Sequence, residues 1–272
     1  MTSNRILICA ALTALAFRTH ADVTVTANTS GKAAFINVDG EGVSQIKGTR
    51  MRTDQAFKGR LQTLIIDIDG RRFVDLDAKK KSALVTPLDT IADELQKVGV
   101  GTLQATIKKT AQTKQIAGFP CTVHDVNLSL PFSPTGEAGS GLDLTMALSG
   151  TVCLSTSAPG LADYQKFYKA AADSGFIFGD PRAAKSPGGG GAGHAPAPVS
   201  EPSAAQAKAY AALTKQMAEA GMALESRINI SASGDNPMAA MFAKAVKSDI
   251  VTTVTKIETP ALPADAFEIP AD

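Results

Sequence analysis

The chain is 272 residues long, with 27 Lys and Arg against 26 Asp and Glu, 44 % hydrophobic residues, few aromatics and no tryptophan. This near-neutral balance lacks the basic excess with which nucleic-acid-binding proteins hold phosphates, so no nucleic-acid partner is implied. The length suits one large β-rich domain or two small ones, and the apolar content is ample for a core.

Residues 1–21 have the three-part layout of a secretory signal: Arg5, an apolar run from Ile6 to Phe17, and Thr19-His20-Ala21 before the expected cleavage point. The run is shorter than the roughly 20 residues that cross a bilayer, and no later stretch qualifies, so no transmembrane segment is expected after cleavage. Removing Arg5 and Arg18 leaves 25 basic residues against 26 acidic. Cys9 leaves with the signal, and Cys121 and Cys153 remain. In an exported protein such a pair reads as a disulfide, with two buried free thiols as the alternative if export is wrong.

Residues 22–272 read as a single domain. Asp22–Ser30 alternates apolar and polar residues, the period-two signature of a first strand. Gly31–Gly42 reads as loop or weak edge strand turning at Gly40-Glu41-Gly42, and Val43–Phe57 as the next strand. Arg50 and Arg52 share one face there; a solvated basic face and an anion or headgroup contact are both compatible with that. Asp69-Gly70 marks a hairpin, placing Asp67 opposite Arg72, Ile66 opposite Phe73, Ile65 opposite Val74 and Leu64 opposite Asp75. A second reversal at Asp77–Lys80 returns the chain as Lys81–Thr86, and Pro87 ends that strand.

Asp89 can cap a helix bearing Ile91, Leu95 and Val98, closed by Gly99. Strands follow over Thr102–Ile116, Cys121–Leu130 and Leu142–Thr156, so a disulfide would join neighbouring strands. Pro159–Ser174 has helical spacing, with Leu161, Tyr164, Phe167, Tyr168 and Ala171 on one apolar face that can be core or can line a ligand cavity. Residues 181–202, rich in Pro, Gly, Ala and Ser, read as a flexible insert. Ser203 and Gln206 form a capping-box pattern for a helix that Gly221 ends. Strand Ala223–Ser233, a short Met-rich helix (Met238, Met241, Phe242) and strand Asp249–Glu258 complete the pattern. The fold class is α+β: about ten antiparallel strands with about four helices.

The chemistry-bearing inventory is sparse. His124 is the only histidine outside the signal and the insert, and a lone strand histidine is more often a packed or surface residue than a general base. No Gly-x-Ser-x-Gly elbow occurs. Asp67-Ile68-Asp69-Gly70 fails as a calcium loop, because Arg71 and Ala78 stand where oxygen ligands belong. Gly40-Glu41-Gly42 and Gly188–Gly191 lack the remainder of a nucleotide fingerprint. Lys79-Lys80-Lys81 reads as a solvated turn in preference to a membrane contact. Neither an enzymatic activity nor a cofactor or metal is implied.

The order of landmarks resembles a family of uncharacterised bacterial envelope proteins, a domain of unknown function similar in fold to the lipoprotein-localisation factors. The matching residues are Gly48–Arg52 with Asp54, Ile65–Asp69, Leu76-Asp77 with Lys79–Lys81, Ile116–Cys121 and Phe267-Glu268-Ile269-Pro270. The resemblance implies a curved antiparallel half-barrel whose concave side is covered by helices, in a group where such cavities hold lipid or acyl chains. The insert departs from a compact version of that pattern. The expected role is a periplasmic, non-enzymatic carrier or sensor of a hydrophobic ligand, lined by Ile66, Phe73, Tyr164, Phe167, Tyr168, Met238, Met241 and Phe242. The alternative is an envelope protein that binds protein partners, with a filled core and no ligand.

Overall fold

The computed structural model describes residues 22–33, 36–57, 60–88, 104–132, 144–174, 204–234, 243 and 247–270. The strands are β1 (Val23–Ala33), β2 (Ile36–Asn37), β3 (Gly40–Lys47), β4 (Arg50–Phe57), β5 (Arg60–Asp67), β6 (Arg72–Asp77), β7 (Ser82–Pro87), β8 (Gln104–Ile116), β9 (Phe119–Phe132), β10 (Leu144–Ser155), β11 (Met222–Ser233) and β12 (Ser248–Glu258). Two α-helices occur among the described residues, α1 (Leu161–Asp173) and α2 (Ala204–Ala220), with a 3-10 turn at Ala264–Phe267.

All the strands belong to one open antiparallel sheet, ordered β7-β6-β5-β4-β3-β1-β12-β11-β10-β9-β8, with β2 paired to β1. The sheet is curved. In a flat sheet β8 and β12, four positions apart, would be separated by about 19 Å, yet their Cα atoms approach within 8 Å. The edge strand β8 carries exposed Lys108, Lys109 and Lys114 and a register break between Lys109 and Thr113. Both features discourage pairing with another chain.

The meander register is the one the alternation predicts: Asp67 faces Arg72, Ile66 faces Phe73, Ile65 faces Val74 and Leu64 faces Asp75. The turn itself differs. Four residues, Ile68–Arg71, make the loop, and the positive φ falls on Arg71 (51°) rather than on Asp69 and Gly70. The Asp67 carboxylate accepts the Gly70 N–H at 2.8 Å, which stabilises this wider turn in the same register. The next reversal repeats the device: Asp77 accepts the N–H groups of Lys79 and Lys80, and Lys81 takes φ 48°. Paired positive φ values occur instead at Ala117 (50°) and Gly118 (83°), which join Ile116 directly to Phe119.

Two other expectations are corrected. Val43–Phe57 is not one strand but parts of two, because Gly48 at φ 61° opens a two-residue turn between Lys47 and Arg50. Gly40–Gly42 is not a turn; it pairs with β1 on one side and β4 on the other. The expected helix from Asp89, the insert at 181–202, and Met238, Met241 and Phe242 lie outside the described residues.

The helices do not jointly cover one concave side. On β9 and β10, Cys121, Val123 and Cys153 join the cluster under α1, whereas Val126, Leu128, Val152 and Leu154 join Leu213 of α2. These sets have opposite parity along strands of unbroken mutual register, so the two helices lie on opposite faces there. They also touch one another, through Gln165 Nε2 donating to Ala218 O (2.8 Å) and Lys215 paired with Asp173 (2.5 Å).

Gly150, central in β10, lets two backbones come close: a Cβ there would stand 1.9 Å from Arg227 O. Gly150→Ala is therefore expected to destabilise the fold by about 1 to 3 kcal/mol, as overpacking does, measured by denaturant unfolding. Unchanged stability would show that β10 and β11 separate freely at this point.

Candidate functional site

Along β1, β3, β4, β5 and β6, the partners Val23, Ile46, Met51, Ile66 and Phe73 form a buried row on one sheet face. Helix α1 lies on this row. Its i, i+3, i+4 spacing directs Leu161, Tyr164, Phe167, Tyr168 and Ala171 at the sheet, and all five belong to the same cluster. Phe167 is the centre of the contact and is 0 % exposed. Gly160, at φ 72°, starts the helix where a Cβ would strike Val23 (2.5 Å), so the close approach at the helix entry requires glycine.

Of the residues expected to line a ligand site, Ile66, Phe73, Tyr164, Phe167 and Tyr168 thus come together. Partly buried Val25, Ala27, Leu64 and Ile257 extend the same apolar cluster.

The polar groups of this site include buried Thr86 opposite Phe73, Asp75 opposite Leu64, buried Asp163 of α1 and a tyrosine pair. The rings of Tyr164 and Tyr168 lie 4.3 Å apart and Tyr168 meets Phe167 edge-on at 5.3 Å. The Tyr164 hydroxyl accepts the Ala223 N–H at 3.4 Å and a hydrogen bond from Tyr168. Burial pushes both phenols up, Tyr168 well above the usual range; the neighbouring Tyr164 and the hydrogen bond between them add to the Tyr168 shift.

In the unfolded chain both phenols return to about 10. The folded state therefore holds these protons more tightly, and stability present below pH 10 is lost as pH rises through the folded values. An absorbance titration of the native protein is expected to show two of its three tyrosines ionising only above pH 10, together with alkaline unfolding. Ordinary titration of all three without unfolding would contradict this environment.

Cys121 and Cys153 are bonded, with Cα atoms 5.4 Å apart, and join the neighbouring strands β9 and β10 as their positions predict. Both are buried in the α1 cluster. Lys114 of β8 pairs with Glu225 of β11, bridging the two intervening strands. His124 is buried, and its Nδ1 lies 2.9 Å from Thr122 O, which makes it a packed strand residue. No group of three or more His, Cys, Asp or Glu side chains arranged to hold a metal occurs among the described residues. No helix among them is long and apolar enough to cross a membrane.

The opposite face of β3–β6 carries Arg50 and Arg52, as predicted, but the chain's own C-terminal segment lies on it. Leu262 and Phe267 bury themselves against Ile65 and Val74. The Arg50 guanidinium sits 5.0 Å from the Phe267 ring centroid, and Arg52 Nη1 donates to Ala266 O at 3.2 Å. Glu268 pairs with Arg72 at 2.8 Å and with Arg50 at 3.8 Å. Its hydrogen bond is the leading reason that the Arg72 guanidinium is held above its ordinary pKa. Sequence periodicity could not reveal this contact, because its two sides are about 200 residues apart.

No protein-family pattern matches the chain, and no curated protein matches its sequence.

Proposed function

We propose that the protein is a periplasmic, non-enzymatic binding protein, a carrier or sensor of a hydrophobic ligand such as a lipid or acyl chain, held against the α1 face of the sheet. The carrying observation is the convergence of Ile66, Phe73, Tyr164, Phe167 and Tyr168 from two strands and a helix, continued by partly buried Val25, Ala27 and Leu64. An apolar wall with few polar groups is the usual lining of such a site. The resemblance to lipoprotein-localisation-like envelope proteins supports the same role. The disulfide supports export, since such bonds persist in oxidising compartments. Signal cleavage after Ala21 leaves Asp22 at the new terminus, where its carboxylate binds the Leu262 N–H and the Lys47 ammonium.

A second reading has its own observation. Ile66, Phe73 and Phe167 are at most 4 % exposed, which fits a filled core in an envelope protein that works through protein partners. Mass spectrometry of the mature protein purified from the envelope, native and after solvent extraction, separates the two. The carrier reading expects co-purifying lipid; an empty protein that also takes up no added lipid supports the filled core.

A further inference from the structure

From the open backbone edge of the sheet we infer that β7 is a self-association surface: two copies of the chain pair their β7 strands antiparallel about a two-fold axis at Leu84, joining two sheets into one. The two edges of the sheet differ. On β8, lysines and a register break discourage pairing, whereas β7 has lysines only before it, at Lys79–Lys81, and Pro87 at its end, with Ser82–Thr86 uncharged between them. The exposed large hydrophobics among the described residues gather at this edge. Leu84 (64 %) and Val85 (48 %) lie on β7, Leu61 on β5, and Ile269 follows Glu268, which holds Arg72 opposite Pro87. An apolar edge strand left this open is a template for the addition of another strand.

The register follows from which backbone groups face outward. The Leu88 N–H donates to Arg71 O at 2.8 Å, and these two residues continue the register in which Pro87 faces Arg72. A bond between directly opposed residues marks a hydrogen-bonded pair, and such pairs alternate along an antiparallel ladder. Leu84 and Thr86 are therefore bonded to β6, while the N–H and C=O groups of Ala83 and Val85 point out from the sheet. Pro87 shares their orientation, so its missing N–H takes nothing from β6 and limits the outer edge at that end. Pairing Ala83 with Val85 of the second copy, and Val85 with its Ala83, uses every one of these outward groups. Sliding the strands one way sets Pro87 opposite Ala83, where a donor is missing; sliding them the other way sets Val85 opposite the lysine turn. In the matched register Leu84 meets its own copy in a non-hydrogen-bonded pair, the closer of the two kinds. Parallel pairing would instead bring the two lysine runs together. Leu84 shares the sheet face of Asp75 and Leu64, so after pairing both α1 faces look the same way. The contact uses up the β7 edge of both copies and β8 is guarded, so assembly stops at a dimer. Ala83, Leu84 and Val85 lie outside the α1 cluster, and the pairing therefore holds whether or not that face binds lipid.

The test is sedimentation velocity of the full mature chain with its disulfide, from about 1 to about 100 μM because so short a contact makes a weak interface. A concentration-dependent equilibrium of monomer and dimer is expected. Leu84→Lys sets like charges across the axis, while within each copy the new ammonium faces Asp75, so the monomer stays folded and the dimer weakens at least about tenfold. Val85→Pro removes an outward N–H that β6 does not use and should abolish the dimer. The register has its own readout. Under mild oxidation Leu84→Cys is expected to cross-link two copies, its Cα atoms lying about 4.5 Å apart across the axis, whereas Ala83→Cys is not. A monomer at every concentration overturns the inference, as does a dimer that both Leu84→Lys and Val85→Pro leave intact. A wild type that stays monomeric but is recovered from the envelope with another protein, released by Val85→Pro, would place a foreign strand on this edge and overturn the second copy.

Discussion

Replacing both cysteines in C121A/C153A is expected to lower stability by about 3 to 4 kcal/mol, the chain-entropy value for a loop of this length, the bond spanning 32 positions. For a chain of this size that corresponds to about 10 °C in Tm. The effect reaches beyond the local strands. The two sulfurs lie in the cluster that also holds Phe167, Met222 and Leu224, so freeing β9 from β10 loosens the seat of α1. Reduction of the wild type should reproduce the loss, and alkylation of the native oxidised protein should find no free thiol at these positions. An unchanged melting curve would show that the strand register alone sets the geometry of this end of the sheet.

The second large effect belongs to Phe267. Its ring is 1 % exposed, packed with Leu262 on Ile65 and Val74 and capped by Arg50. Phe267→Ala is expected to cost about 3 to 5 kcal/mol, the range for removing a buried phenylalanine. Release of the segment limits the loss, because the chain can recover entropy and the arginines can return to water. The measurable signature is therefore double: a lower denaturant midpoint, and faster amide exchange in β4–β6. Pro270→Ala, altering an exposed residue of the same segment, should leave both unchanged. Equal behaviour of the two variants would contradict the anchor role.

The sequence made the sheet legible wherever one face alternates with the other. The hairpin of β5 and β6 could be registered residue by residue because a single register sets Asp67 opposite Arg72 and Ile66 and Ile65 opposite Phe73 and Val74, a charge pair and apolar pairs together. It was less informative where glycine serves two purposes. Gly40 and Gly42 resemble turn residues but occupy β3, whereas the turn that divides Val43–Phe57 depends on Gly48, which sits among strand-like neighbours. The α1 stripe announced its own burial by helical spacing. Its partners Ile66 and Phe73 could be nominated because both faces of β5 and β6 are apolar, a pattern that demands cover on each side.

The cover of the other face was not legible. Leu262 and Phe267 obey no helical or strand period, and their binding depends on arginines brought near only by the fold of the whole sheet. Even so, Arg50, Arg52 and Asp54 of β4, Ile65 of β5 and the pair Phe267-Glu268 meet at this one place. Their meeting gives a physical reason for those residue types to occur together: a guanidinium needs the ring and the carboxylate that the tail supplies.

The most direct test of the lipid-binding account is a paired substitution on β5. Leu64 is part of the α1-side cluster, whereas Leu61 has the opposite parity and is 56 % exposed. The delipidated mature protein is titrated with a fluorescent fatty-acid probe, alongside Leu64→Glu and Leu61→Glu. The account predicts saturable binding by the wild type, retained in Leu61→Glu and weakened at least about tenfold in Leu64→Glu, since a carboxylate opposite Asp75 gains no partner and must be desolvated or must expel the ligand. No binding by the folded wild type, or binding that Leu64→Glu leaves intact, would contradict it.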